Sequence, residues 1–308
     1  MASRCTWQRS GAPKCPLVLL LHGFPELWFS WRHQMVGIAE HGYHVVAPDM
    51  RGYGDTESPA DSFSYTILHL LGDLIGLLDA FDREKAFVVG HDWGAEVGWH
   101  LGLMRPDRVK ALVCLSVPFR ARSPGEKPTE TFARLLGDGF HPSQFQEPGR
   151  AEKAFAHYDY HTVMKKFLSI RNPDLIAPPG VELIDFLETP SSLSAWITEE
   201  EIQYFASKFQ KSGFTGPLNY YRAMDRNWEL LAPWDGAKID VPTKFITGDK
   251  DIGFQSFGTK DYILGDVFKS LVPNVEVVII DGHHYIQQEN ADVVTNEILS
   301  FLSNACTA

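Results

Sequence analysis

Six short, continuously apolar runs, separated by segments of helical periodicity, most constrain how this chain folds. A short run of this kind is typical of a strand that is covered on both faces, and such strands occur in parallel sheets. Because parallel strands need crossover connections, the intervening segments predict an α/β fold with helices on both faces of a mostly parallel sheet. The predicted strands are Leu17–Leu21, His44–Ala47, Ala86–Val89, Ala111–Leu115, Lys244–Thr247 and Val275–Ile280.

Helical periodicity predicts the elements that connect these runs. In Thr66–Ala80, isoleucine and leucine recur at the three–four spacing of a buried helix face. Trp28–Ala39 also predicts a helix, and Asn290–Leu302 predicts a closing helix. Strands that alternate with helices in this way favour a sheet with right-handed crossovers.

The alternation stops between the fourth and fifth apolar runs. That stretch contains amphipathic segments such as Glu199–Gln210 and Leu218–Trp228, which are separated by loops with proline and glycine. We therefore predict a core domain formed by residues 1–119 and 235–308, and a helical cap formed by residues 120–234. Ligands of open α/β sheets bind at the carboxyl ends of the strands, so an insertion that leaves a strand end covers that site.

The charge balance and the composition exclude several kinds of partner. The chain has 28 Lys and Arg against 39 Asp and Glu in 308 residues, and its net charge of −11 disfavours nucleic acids and anionic membrane surfaces. No apolar stretch approaches the roughly 20 residues of a membrane span, and the N-terminus lacks the apolar region of a signal peptide. Four cysteines are too few for a disulfide framework. We expect a cytoplasmic protein without stable membrane insertion, as a monomer or a homodimer.

A tight turn with aspartate at its centre follows the third apolar run, in the segment Gly90-His91-Asp92-Trp93-Gly94. A strand–turn–helix connection of this kind is a nucleophile elbow, which exposes its central residue at the edge of the sheet. That residue needs an unfavourable φ, which aspartate tolerates better than most residues. The flanking glycines relieve the crowding. The motif therefore indicates that Asp92 is a nucleophile, at the position where esterases have serine.

A second loop, His22-Gly23-Phe24-Pro25, follows the first apolar run. In a sheet with a nucleophile elbow, this loop supplies one backbone N–H of an oxyanion hole, and the residue after the nucleophile supplies the other. We therefore expect the N–H groups of Phe24 and Trp93 to form the oxyanion hole. An ordinary turn is the alternative interpretation of the loop. The Phe24–Pro25 peptide bond can be cis at low cost, because its second residue is proline.

Acidic and basic partners for Asp92 follow the last two apolar runs. Asp249 and Asp251 come after the fifth run, where an acid can orient a histidine, and Asp251 is the better candidate. His283 and His284 come after the sixth run. Adjacent side chains cannot both point at one site, so one of the two histidines at most is the base. The order nucleophile, acid, base is that of a hydrolase with a nucleophile elbow.

Longer stretches of the chain resemble the α/β-hydrolase family, and within it the plant-type soluble epoxide hydrolases. They span nearly the whole chain from Leu17 onward, and comprise HGFPELWFSWRHQM (22–35), APDMRGYGDTE (47–57), FVVGHDWGAE (87–96), RPDRVKALVCLSVPF (105–119), PLNYYRAMDRNWEL (217–230), KFITGDKDIGF (244–254) and HHYIQQE (283–289). The resemblance implies the α/β-hydrolase fold and places the nucleophile at Asp92, the acid at Asp251 and the base at His284. The chain contains no phosphate loop or dinucleotide fingerprint, so no cofactor is expected, and no metal either.

An aspartate nucleophile points to transfer of an alkyl group. A carboxylate is ionised at pH 7 without help from a base, and it attacks saturated carbon to give an alkyl-enzyme ester. The histidine then takes a proton from water, and this water attacks the Cγ atom of Asp92. The substrate must therefore carry a displaceable group on saturated carbon. Epoxides and haloalkanes are the two obvious classes, with water as the second reactant.

An epoxide leaves as an alkoxide, so ring opening needs a hydrogen-bond donor from the opposite side. The resemblance implies two cap tyrosines for this role, and Tyr221 matches one of them. His141 stands at the place of the other, and since an imidazole can donate through a ring N–H, we expect His141 to be the second donor. We expect this polarisation to vary with pH, because histidine titrates near about 6.5. Phe24, Trp93, Phe140 and Tyr221 predict an apolar pocket that fits small lipophilic substrates, such as fatty-acid or aryl epoxides.

The N-terminus departs from the family pattern, and two other functions stay open. The family has a β-hairpin before its first parallel strand, but the 16 residues before Leu17 have no alternating pattern. We therefore expect these two strands to be missing or poorly formed. A haloalkane dehalogenase also has an aspartate elbow, and Trp93 would be its halide donor. A weakly active or receptor-like member of the fold is the alternative from a different functional class.

Overall fold

A mostly parallel sheet forms the centre of the computed structural model, which describes residues 5–173, 175–255 and 257–307. Within these residues the strand order is β1-β3-β2-β4-β5-β6-β7, and every neighbouring pair except β1 and β3 is parallel. All six predicted strands form, so the predicted fold class is confirmed. The strands are β1 (Trp7–Ser10), β2 (Leu17–Leu21), β3 (His44–Pro48), β4 (Ala86–His91), β5 (Val109–Leu115), β6 (Thr243–Gly248) and β7 (Val275–Ile280).

Helices connect the strands and cover both faces of the sheet. Before β5 they are α1 (Arg32–Glu40), α2 (Ile67–Ala80) and α3 (Trp93–Met104). Between β5 and β6 they are α4 (Pro128–Leu136), α5 (His141–Gln144), α6 (Arg150–Phe155), α7 (Tyr160–Leu168), α8 (Leu183–Phe186), α9 (Glu199–Ser212), α10 (Thr215–Arg222) and α11 (Met224–Leu230). After β6 they are α12 (Thr259–Leu264), α13 (Asp266–Leu271), α14 (Ile286–Glu289) and α15 (Ala291–Thr307). Short 3₁₀ turns occur at Trp28–Trp31, Ser62–Tyr65, Pro106–Arg108 and Ala232–Trp234.

Strand β2 explains why the apolar runs are continuous. Its side chains alternate between the two faces of the sheet, and each face belongs to a separate hydrophobic cluster. Leu17, Leu19 and Leu21 pack with residues of α2 and α3, whereas Val18 and Leu20 pack with residues of α1 and α15. Since both faces are covered, every position of the strand is apolar and buried.

The N-terminal segment corrects one expectation. Strand β1 forms and pairs antiparallel with β3, from Trp7 opposite Pro48 to Ser10 opposite Val45. The expectation that both N-terminal strands are missing or poorly formed was therefore wrong for this strand, whereas no β-hairpin precedes Leu17 among the described residues. Its residues are largely exposed, so it lies at the sheet edge without a buried face. Backbone pairing holds β1 in place, and an alternating hydrophobic pattern is not required for that.

The stretch between β5 and β6 is helical, as predicted, and we refer to α4–α11 as the cap helices. The predicted segment Glu199–Gln210 forms most of α9, whereas Leu218–Trp228 is divided between α10 and α11 at Ala223. The division into domains at residues 119/120 and 234/235 stays a prediction. In the part of the chain that the structure describes, no helix is both long and apolar enough to cross a bilayer.

Candidate active site

Asp92 lies in a strained turn between β4 and α3, at the carboxyl edge of the sheet. Its φ is 52° and its ψ is −120°, a conformation that non-glycine residues rarely adopt. A Cβ atom on Gly90 would lie 2.2 Å from the Gly94 carbonyl oxygen, and one on Gly94 would lie 2.1 Å from the Leu21 carbonyl oxygen. Both positions therefore require glycine, and the turn presents the carboxylate beside the end of β2.

The loop after β2 places a backbone donor on that carboxylate. The Phe24 N–H donates to Asp92 Oδ1 at 2.7 Å, and the Phe24–Pro25 peptide bond is cis. A Cβ atom on Gly23 would lie 2.4 Å from Asp92 Cβ, so the loop backbone approaches the nucleophile closely. Trp93 follows Asp92 directly and is the first residue of α3. That the N–H of Trp93 belongs to the oxyanion hole stays a prediction.

A histidine and a second carboxylate complete the cluster. His284 Nδ1 lies 2.7 Å from Asp251 Oδ1, and since a carboxylate only accepts, the imidazole donates this hydrogen bond. The other ring nitrogen, Nε2, lies 3.6 Å from Asp92 Oδ2. The side chains of Asp251 and His284 are both buried. The three residues that follow β4, β6 and β7 therefore meet at one edge of the sheet.

Asp249 and His283, the alternative acid and base that the sequence left open, bond to groups outside the cluster. Asp249 accepts a hydrogen bond from the Gly282 N–H at 3.2 Å, so it closes the turn next to the histidine segment. His283 Nδ1 lies 2.8 Å from Glu289 Oε1 and does not contact Asp92 among the interactions of the described residues. The geometry therefore favours Asp251 as the acid and His284 as the base.

Burial and charge act in opposite directions on the two groups that face each other. Burial would raise the pKa of Asp92, but the hydrogen bond and charge of His284 and the N–H of Phe24 outweigh it and lower this pKa. Burial would lower the pKa of His284, but the attraction and hydrogen bond of Asp251, together with Asp92, raise it well above its usual value. In the free protein, the two shifts therefore favour a carboxylate at Asp92 and an imidazolium at His284.

A buried carboxylate beneath the site was not identified from the sequence. Glu26 is fully buried, and its Oε2 lies 2.6 Å from His91 Nδ1 and accepts from the Gly23 N–H at 2.9 Å. Its Oε1 accepts from Gln287 Nε2 at 2.8 Å. His91 Nε2 in turn lies 2.8 Å from the carbonyl oxygen of His284. Glu26 thus links the oxyanion loop, the elbow and the histidine segment.

We predict that Glu26→Gln lowers the free energy of unfolding by about 3 kcal/mol at pH 7, because it removes a buried carboxylate that accepts hydrogen bonds from several groups. Burial would raise the pKa of Glu26, but the charge and hydrogen bond of His91 outweigh it and lower this pKa. Because the pKa of Glu26 is lower in the folded than in the unfolded protein, its ionised carboxylate stabilises the fold. This stabilisation is complete above the pKa of the unfolded state, about 4.3. It is lost as the pH falls through the pKa of the folded state. The difference between wild type and variant is therefore constant from pH 7 to 5 and shrinks below that.

Urea unfolding across this pH range measures the effect, and Glu40→Gln is the matched control. Glu40 is exposed at the end of α1, so its substitution is expected to leave stability within about 0.5 kcal/mol of wild type. Equal stability of Glu26→Gln and wild type at pH 7 would contradict the proposed contribution of this pair.

Two cap residues face the cluster from above. Tyr221 lies on α10 and is buried, with its ring 5.1 Å from the Trp93 ring and 5.4 Å from the Phe24 ring. His141 begins α5, and its ring lies 5.9 Å from that of Tyr221. Burial, with a further contribution from Asp92, raises the pKa of Tyr221 well above its usual value. Tyr221 is therefore a hydrogen-bond donor at neutral pH.

The pKa of His141 corrects the expectation that its contribution varies with pH near neutrality. Burial in the cavity wall lowers this pKa to about 4, although the charge of Asp92 acts in the opposite direction. His141 is therefore neutral throughout the physiological range and carries one ring N–H. Its Nδ1 atom is enclosed and has no hydrogen-bond partner among the described residues.

Two adjoining cavities meet at the cluster. The larger has a volume of about 940 Å³ and the smaller of about 490 Å³, and Asp92, His141, Phe140 and Tyr221 line both of them. Phe24 lines the larger cavity and Trp93 the smaller one. Most of the remaining lining is aliphatic or aromatic, so the space suits an apolar ligand. No group of three or more His, Cys, Asp and Glu side chains among the described residues is placed to hold a metal ion.

Comparison with known proteins gives the family of the chain. A family model for the alpha/beta hydrolase fold matches residues 16–291. Epoxide hydrolase 2 of Siraitia grosvenorii is 52% identical over 93% of this chain and 92% of its own length. The crystal structure of an epoxide hydrolase from Vigna radiata is 47% identical with a TM-score of 0.93, covering 98% of this chain and 95% of that one. Potato epoxide hydrolase I is 46% identical with a TM-score of 0.92, covering 97% and 96%.

Proposed function

The chain belongs to the epoxide hydrolases of the α/β-hydrolase family, and from that premise we propose that it converts lipophilic epoxides to vicinal diols through an ester of Asp92. The observation that carries this proposal is the geometry of the Asp92 carboxylate. One oxygen accepts from the Phe24 N–H at 2.7 Å, the other lies 3.6 Å from His284 Nε2, and two donors of the cap line the same cavity.

In the first step, a carboxylate oxygen of Asp92 attacks an epoxide carbon and the ring C–O bond breaks. The bonding electrons pass to the epoxide oxygen, which needs a donor as it becomes an alkoxide. Tyr221 and His141 lie on the cap side of the cavity, opposite the elbow. Their O–H and N–H groups are the donors that we assign to this oxygen. The alkoxide gains the proton that the His284 imidazolium gives up, relayed through the donors of the cap. The product of the step is therefore an alkyl ester on Asp92, with a hydroxyl on the neighbouring carbon and a neutral imidazole at His284.

In the second step, His284 takes a proton from water, and this water attacks the Cγ atom of Asp92. The ester has no charge, so the contribution of the Asp92 carboxylate to the raised pKa of His284 is lost when the ester forms. His284 has by then given its proton to the alkoxide of the first step, so it is a neutral base when the water attacks. Phe24 N–H, and with it Trp93 N–H, stabilises the oxyanion, and one such donor is worth about 3 kcal/mol. Collapse breaks the bond between Cγ and the alkyl oxygen, which leaves with the proton that His284 took from water. The diol is released, and one water oxygen stays in Asp92.

The environment of His141 favours one ring nitrogen as the donor. Its Nδ1 is enclosed without a partner among the described residues. A buried donor without a partner is rarer than a buried acceptor without one, so the tautomer with hydrogen on Nε2 is favoured. That nitrogen then carries the N–H available to the cavity. His141 thus donates to the epoxide oxygen through an imidazole N–H, where the family pattern has the O–H of a tyrosine.

We predict that His141→Phe slows single-turnover alkylation about 10- to 100-fold, because it removes one donor from the developing alkoxide. The loss is expected to be the same from pH 6 to 8, since the pKa of His141 is about 4. His141→Tyr should restore the donor and most of the rate. Rapid-quench mass spectrometry of the ester measures each rate. His157→Phe, at an exposed cap position, is the control; an unchanged rate in His141→Phe would exclude His141 as a donor.

Single turnover of styrene oxide in ¹⁸O water, with enzyme in excess, tests the ester route. We expect diol, together with one ¹⁸O atom in the peptide that contains Asp92 and none in the same peptide from enzyme incubated without substrate. Diol without label in this peptide would mean direct attack of water on the epoxide. Absence of diol with folded protein would contradict the proposed activity and favour a haloalkane dehalogenase or a receptor.

A further inference from the structure

One cation on the wall of the substrate cavity has no counterion. Among the described residues that line the larger cavity, Arg120 is the one arginine or lysine, and it also lines the smaller cavity. Its guanidinium lies over the Tyr262 ring at 4.6 Å, and its Nη2 is 3.5 Å from Thr259 Oγ1, which is long for a hydrogen bond. It forms no ion pair with any residue that the structure describes.

Arg122, two residues further on, shows how a structural arginine is held in the same segment. Its Nη1 donates to Asp235 Oδ2 at 2.6 Å and its Nε donates to the Trp228 carbonyl oxygen at 2.7 Å. It also stacks on the Trp228 ring at 4.1 Å. Arg120 has the stacking contact and the long contact to Thr259, and no carboxylate on its guanidinium, so most of its forked N–H groups are available to a ligand.

The carboxylates of the larger cavity do not supply the missing partner. Asp92 and Asp251 are both engaged with His284, at 3.6 and 2.7 Å. Tyr262 donates to the Phe119 carbonyl oxygen at 2.6 Å, so the ring on which Arg120 stacks has a fixed position. Arg120 is exposed, so its guanidinium lies at the solvent side of the cavity. A guanidinium without an ion pair beside an apolar wall is suited to a ligand with an apolar body and a planar anion.

We propose that Arg120 binds the carboxylate of fatty-acid epoxides and makes the enzyme prefer these acids to uncharged epoxides of the same shape. The inference rests on the proposed epoxide hydrolase function and names the substrate class of the same site. The apolar chain would occupy the cavity, the epoxide would lie at Asp92, and the carboxylate would accept from the guanidinium. In a protein of net charge −11, this local cation offsets the repulsion that an anionic substrate meets.

The test compares two substrates within each enzyme variant. The substrates are the mid-chain cis epoxide of dodecanoic acid and the primary amide of the same epoxy acid, which has the same shape without the charge. We expect the ratio of kcat/KM for the acid to that for the amide to fall about 3- to 10-fold in Arg120→Gln. Arg120→Lys should retain part of the preference, because it keeps the charge without the fork. In wild type, the ratio should fall as ionic strength rises.

Arg122→Gln is the matched control, since it removes an equal charge from the same segment, and its ratio should equal that of wild type. If Arg120→Gln hydrolyses the amide but keeps the wild-type ratio, the proposed role of Arg120 is overturned, whereas the proposed epoxide hydrolase function is not. A fall of equal size in Arg122→Gln would also overturn it, because net charge would then be the cause. Wild-type protein that hydrolyses neither substrate nor styrene oxide would overturn the proposed function, and this inference with it.

Discussion

Asp92→Asn is expected to lower kcat/KM for an aryl epoxide by roughly 10⁴-fold or more, because the nucleophile is lost while the turn is kept. Asparagine has nearly the shape of aspartate and tolerates the positive φ of 52° found at this position. Its amide oxygen can still accept from the Phe24 N–H. The folded site should therefore remain, with a side chain that does not displace the epoxide oxygen. Diol formation by purified variant and wild type measures the loss.

The same oxyanion hole makes one control necessary. In the Asp92→Asn variant, the amide carbon of the new side chain would lie where the ester carbon lies, so water activated by His284 can convert the amide back to aspartate. Intact mass of each preparation, before and after the assay, reports this conversion. Asp82→Asn is the matched control, because Asp82 is exposed and also has a positive φ, 53°. More than about 1% of wild-type activity in protein that is still asparagine would contradict the nucleophile assignment.

The parts of the site that follow strand ends could be located from the sequence. Asp92, Asp251 and His284 each come shortly after an apolar run, and parallel strands bring their carboxyl ends to one edge. Both the fold class and the meeting of these residues therefore follow from local pattern and strand direction. The choice of His284 over His283 came from the resemblance, and the structure adds the reason, since His283 is held by Glu289.

Other features depend on contacts between distant segments, and local pattern does not contain these. Glu26 follows a proline in a loop, like many exposed glutamates, and its burial arises because His91 and Gln287 arrive from other elements. Strand β1 has no buried face, so hydrophobic alternation gave no signal for it. The low pKa of His141 likewise results from burial by neighbouring cap residues, whereas the sequence supplies the ordinary histidine value.

His284→Gln is expected to lower diol release roughly 10²- to 10⁴-fold while alkylation of Asp92 continues. Glutamine can still bond to Asp251, but it cannot take a proton from water. The ester should therefore accumulate, and the intact mass should rise by one substrate molecule for each enzyme molecule. The loss of the imidazolium also removes the main influence that lowers the pKa of Asp92. Since burial then meets less opposition, the pKa of Asp92 should be higher in the variant, and alkylation should weaken at a higher pH than in wild type.

His283→Gln separates the base from its neighbour. It changes the same residue type one position away, and His283 bonds to Glu289 and not to the reacting groups among the described contacts. This control should release diol without accumulating ester. Stopped reactions of both variants with styrene oxide, followed by intact mass, distinguish the two histidines in one experiment. If His284→Gln released diol at the wild-type rate, or if the ester accumulated in His283→Gln instead, the second step would have a different base. If the ester accumulates in His284→Gln but not in His283→Gln, alkylation and hydrolysis must use different groups. This result is expected, because the nucleophile Asp92 is already charged, whereas the base His284 becomes neutral only once the ester has formed.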